Sequence, residues 1–169
     1  MSRVGLILVR LFLIVIGYGV AALAASAFLH FVAWPMFAAP GEEAPWLLMG
    51  GLFISVPLVG LFVAYFAFVP SAVLGGLSEI LGYRSWLYHA LSGGVAGFVA
   101  IMIARRTQGP APFPGEVGQF DAGLPLIWMP EIATAAIAAG IVGGTAYWLV
   151  AGRCAGLADR RPPDDGLPG

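Results

Sequence analysis

LFLIVIGYGVAALAASAFLHFVAW, running from Leu11 to Trp34, decides the fold class. It carries no residue whose charge is fixed at neutral pH. A bilayer core about 30 Å thick is crossed by about 20 apolar residues in a helix rising 1.5 Å per residue. This run meets that length and has no polar stripe to turn toward water. The composition around it agrees. The chain has 169 residues, 60% hydrophobic and 10% charged, with mean hydropathy +0.91, whereas a soluble domain is about a quarter charged. The stretch is therefore a membrane span. Arg10 interrupts the early apolar run and hydrophobicity continues past Ala21–Ala27, so a retained helix is expected rather than a cleaved signal peptide.

The same length test finds three further spans: Trp46–Val69, Trp86–Ala104 and Leu126–Ala151. The expected fold is all-α, an integral membrane bundle of four transmembrane helices at about 11–34, 46–69, 86–104 and 126–151, in one domain over 1–151. All five tryptophans (34, 46, 86, 128 and 148) fall at or near span ends. Indole rings favour that level, where an apolar body meets lipid and an N–H meets the headgroups. The remainder, 152–169, reads as a polar, disordered cytoplasmic tail.

Pro70–Gly82 reads PSAVLGGLSEILG. Proline at its start and glycine at its end suit a short interfacial helix between the second and third spans. Pro57, inside the second span, removes a donor to the Phe53 carbonyl and should kink that helix. Pro35–Pro45 and the proline- and glycine-rich segment 105–125 read as outer loops.

Four spans place both termini on one side. With that side cytoplasmic, Arg3, Arg10, Arg84, Arg153, Arg160 and Arg161 lie inside, and Arg105 and Arg106 outside. Positive residues favour the cytoplasm, so both ends are expected there. The arginine-only basic set and the wealth of alanine and glycine suggest a bacterial inner membrane.

Lipid is as apolar as leucine, so close backbone approach must hold the helices together. Small residues four apart share a helix face. Such rows are Gly17, Ala21 and Ala25; Gly60 and Ala64; Gly93 and Gly97; and Ala136, Gly140 and Gly144. These are the expected packing positions, and one smooth side is open to a homo-oligomer or another membrane subunit.

The charge balance of −1 excludes an electrostatic nucleic-acid binder, and one cysteine excludes a disulfide scaffold. His30 and His89 differ in depth by roughly 20 Å on this topology, too far to share a haem. No metal-ligand spacing, phosphate loop or nucleophile motif is present, so no cofactor, metal or enzymatic activity is expected. The candidate binding residues are Glu79, Arg84 and His89 at the cytoplasmic surface, with Glu79 and Arg84 expected to pair across the break at Gly82. Glu131 is expected to cap the fourth span, where a carboxylate suits the helix dipole.

The segment Phe68–Gly94, FVPSAVLGGLSEILGYRSWLYHALSGG, resembles the middle of small four-span inner-membrane proteins of alphaproteobacteria, a group without an assigned activity. That resemblance implies location and fold only. The mid-span regions hold almost no polar groups, which favours an accessory or interaction subunit over the alternative, a small transporter or channel component using Glu79, Arg84 and His89.

Overall fold

The computed structural model describes residues 3–37, 45–107 and 130–155. Four helices make up nearly all of this: α1 (Arg3–Phe37), α2 (Pro45–Leu81), α3 (Trp86–Thr107) and α4 (Pro130–Val150), followed by a 3-10 turn at Gly152–Cys154. All four are long and apolar enough to cross a membrane. The chain is an all-α bundle of four transmembrane helices.

Two expectations are corrected. There is no separate interfacial helix, because α2 runs unbroken through Pro57 and Pro70 to Leu81. Proline is tolerated inside membrane helices when neighbours cover the freed carbonyl, and Pro70 therefore did not mark a start. The stop at Gly82 is real. Its φ of 65° is left-handed, and the Tyr83 N–H reaches back to the Ser78 carbonyl at 3.0 Å. This is the glycine-terminated helix end in which two turns of backbone close on each other. Second, the tail does not start as a disordered segment. Ala151, Gly152 and Ala155 are buried against the bundle. Most of the expected outer loops (38–44 and 108–129), the first residues of the fourth span (126–129) and tail positions 156–169 lie outside the described residues.

The tightest contact is between antiparallel α3 and α4, and it is made of backbone. A methyl group built on Gly93 would collide with the Gly140 carbonyl, and one on Gly140 with the Gly93 carbonyl. Gly97 meets Ala136 and Gly140 in the same way, and Gly144 meets the His89 carbonyl and Gly93. The two small-residue rows thus interlock along one seam. Helix α1 packs on the other side of α4. A methyl group on Gly17 would touch Ala151 and Tyr147, and one on Gly143 would lie 2.9 Å from the Ala21 carbonyl. Between α1 and α2 the contacts are hydrogen bonds: Ser26 Oγ donates to the Val56 carbonyl at 2.7 Å, and the Tyr18 hydroxyl donates to the Ala64 carbonyl. Each such interhelical bond contributes about 0.6 kcal/mol in a bilayer.

These contacts make one end of the bundle stepped. Gly17 lies opposite Ala151, just past the end of α4. Residues 3–16 of α1 therefore run on for roughly 20 Å of helix beyond α4. The last turns of α2 accompany them, so α1 and α2 project together as a helical pair. Its outer surface is apolar, with Leu8, Phe12, Val73 and Ile80 all exposed.

Candidate functional site

The candidate residues Glu79, Arg84 and His89 gather at the stepped end, but they do not bind one another as expected. Glu79 comes from the last turn of α2, and its ion-pair partner among the described residues is Arg10 of α1. Both carboxylate oxygens take part, accepting from Arg10 Nη2 and, at 3.2 Å, from Arg10 Nε. The side chains are only 15% and 24% exposed. The expected Glu79–Arg84 pair is thus replaced by a bidentate pair that ties α1 to α2. The planar guanidinium fork suits a carboxylate in this way.

Arg84 has another task. Its Nε–H donates to the Ala155 carbonyl at 2.6 Å, while the Trp148 indole N–H donates to the Arg84 carbonyl at 2.8 Å. Residue 84 thereby fastens the chain after α4 to the connection between α2 and α3.

His89 is buried in the first turn of α3. Its ring stacks on Tyr147, with centroids 5.6 Å apart and planes at 26°, and meets the edge of Tyr88 at 5.3 Å. Nδ1 lies 3.0 Å from the Ser85 carbonyl. A carbonyl only accepts, so Nδ1 carries a proton and Nε2 of the neutral ring is an acceptor. Nε2 is buried and has no hydrogen-bond partner among the described residues. What covers it is Gly152, on which a methyl group would lie 2.8 Å from Nε2. A buried acceptor without a donor costs about 1–3 kcal/mol. The bonds from Arg84 and Trp148 hold the turn down against that penalty.

A test follows from this contact. Gly152→Ala should lift the turn from the imidazole and raise amide hydrogen exchange in residues 152–155, while exchange in the α3–α4 seam stays slow. Unchanged protection of the turn would show that the ring does not set its position.

The other candidates fall elsewhere. His30 lies near the opposite end of the bundle, on α1, with Nδ1 2.8 Å from the Ser26 carbonyl. Glu131 is exposed in the first turn of α4, the place where a carboxylate meets the positive end of the helix dipole. Among the described residues no three His, Cys, Asp or Glu side chains group as metal ligands.

Sequence reasoning missed Arg10, Tyr147 and Gly152. Arg10 carried a usable signal. It is a single charge set inside the start of one apolar helix, and Glu79 is set inside the end of the next. In antiparallel neighbours those two positions lie at one depth. No comparable signal marked Tyr147 or Gly152. No family model, curated protein or solved structure matches the chain.

Proposed function

We propose that the chain is a non-enzymatic, multi-pass subunit of a bacterial inner membrane that works by helix contact with another membrane protein. The observation that carries this reading is the step at the bundle end. There α1 and α2 run on past α4 and expose Leu8, Phe12, Val73 and Ile80. A helical pair standing alone has open flanks, and a partner helix would cover the apolar surface that α3 and α4 leave uncovered.

The arrangement of polar groups favours this over transport. A transporter must present ionisable groups to a path that solute can follow. Here Glu79 binds Arg10, Arg84 holds the Ala155 carbonyl, and His89 lies under Gly152. They serve as internal ties. Arg10, Arg84 and Arg153 cluster toward the stepped end and Arg105 and Arg106 end α3 at the other, which supports a cytoplasmic location for the stepped end and both termini. The resemblance of Phe68–Gly94 to four-span inner-membrane proteins is in keeping with it.

Photo-crosslinking in native membranes tests the proposal. A photoreactive residue at Leu8 or Ile80 should yield a discrete protein adduct, and one at Phe53, on the outer surface of α2 away from the step, should yield lipid adducts. A reporter fused to the C-terminus should read as cytoplasmic. Lipid adducts alone at Leu8 and Ile80, together with a solute flux in vesicles that Glu79→Gln abolishes, would overturn the proposal in favour of transport.

A further inference from the structure

At the end of the bundle away from the ion pair, α1 and α2 part to form a groove of about 240 Å³, lined by Ala27, His30, Phe31, Trp34, Leu52 and Val56. Five of these are apolar or aromatic, and His30 is the single ionisable group. Ionisable side chains at membrane depth are costly and point to function when nothing structural uses all of their polar atoms. His30 is half used. Nδ1 faces the Ser26 carbonyl at 2.8 Å, which can only accept, so Nδ1 carries a proton. In the neutral ring Nε2 is then a bare acceptor. It has no bond among the described residues.

The neighbours hold this geometry in place. Ser26 is fully buried, and its hydroxyl bridges to the Val56 carbonyl on the facing helix. The groove floor is therefore a fixed α1–α2 contact, and the imidazole is oriented from that floor. Trp34, one helical turn past His30, ends the first span. The imidazole consequently sits about 6 Å inside the span end, the level where the polar head of a lipid-soluble amphiphile meets its tail.

We infer that this groove binds the reduced head of an isoprenoid quinone, a hydroquinone, with a ring hydroxyl donating to His30 Nε2 and the ring lying against Phe31 and Trp34. Three features select this class. The polar contact offered is an acceptor, so the occupant must donate a hydrogen bond; a hydroquinone does and the oxidised quinone does not. The aromatic walls suit a flat ring. The volume lies just below the 300–1,000 Å³ of sites for larger ligands, which suits one ring and excludes a porphyrin. The apolar tail can leave between α1 and α2 directly into lipid. The inference concerns binding, and no electron transfer is assigned. It is independent of the stepped end.

The full chain in phosphatidylcholine nanodiscs can be titrated calorimetrically with a decyl-substituted hydroquinone and with its quinone, with empty discs as the partition control. Saturable binding of the hydroquinone is expected, roughly tenfold tighter than of the quinone, since one hydrogen bond separates them. His30→Phe keeps a ring and removes the acceptor, and should lose about the same factor. Equal binding of both redox forms, or isotherms matching empty discs, would overturn the inference without any variant. So would undiminished hydroquinone affinity in folded His30→Phe, which would leave only an apolar slot for an acyl chain. Trp34→Leu supplies a second variant: weakened binding supports the aromatic wall, and unchanged binding removes it from the site.

Discussion

Gly140→Ala should destabilise the bundle by about 1–3 kcal/mol, and Gly140→Ile should prevent α3 and α4 from closing on each other. The position that a methyl group would take is occupied by the Gly93 carbonyl, which belongs to helix backbone and cannot rotate away as a side chain could. Overpacking a close-packed contact costs about 1–3 kcal/mol even where side chains can shift. Gly93→Ala should behave alike from the other side of the seam. Gly19 and Gly76 are the controls, because a methyl group on either meets nothing within 4 Å. Alanine there should be neutral or slightly stabilising, as alanine favours helix over glycine by up to about 1 kcal/mol. Reversible unfolding in mixed micelles measures all of these. A Gly140→Ala protein as stable as Gly76→Ala would show that backbone proximity does not hold α3 to α4.

The second large effect is expected at the Arg10–Glu79 pair. Exposed ion pairs contribute about 0–1 kcal/mol, and removing one partner of a fully buried pair costs about 3–5 kcal/mol. Side chains 15% and 24% exposed fall between these limits. In a cycle of Arg10→Met, Glu79→Gln and the double variant, the coupling should be about 1–3 kcal/mol. The double variant should be more stable than the worse single one, since each single change strands a charge at the rim of the bundle. Replacing Arg84 in the same cycle should show no coupling to Glu79. Coupling to Arg84 as strong as to Arg10 would contradict the geometry.

Much of this architecture can be read from residues alone, and the boundary of what can be read is physical. Span positions follow from run length, because the bilayer sets one length for all helices. The seam follows from spacing: Ala136, Gly140 and Gly144 repeat every four residues, and so do Gly93 and Gly97. The choice of partner for Glu79 does not follow. Arg84 is five residues away in the chain, but Gly82 turns the backbone so that Arg84 reaches Ala155. Arg10 is distant in sequence and adjacent in the bundle. Pro70 misleads for a related reason. In water it would mark a helix start, whereas among packed helices it sits within α2. Gly152 carried no pattern at all, since its role depends on a ring in another helix.

The ion pair also bears on the order in which the molecule can be built. Chains enter the membrane from the N-terminus, and synthesis adds about 5–20 residues per second. Arg10 reaches the bilayer with α1, well before its carboxylate exists. Once α2 has been made to Glu79, the first hairpin can neutralise itself with no help from α3 or α4. The second hairpin is joined differently, by two glycine-lined backbones that need no charge at all. The nascent protein therefore carries one uncompensated arginine for the time it takes to translate a single hairpin, and an insertion factor or an anionic headgroup has to shelter that charge only until Glu79 emerges.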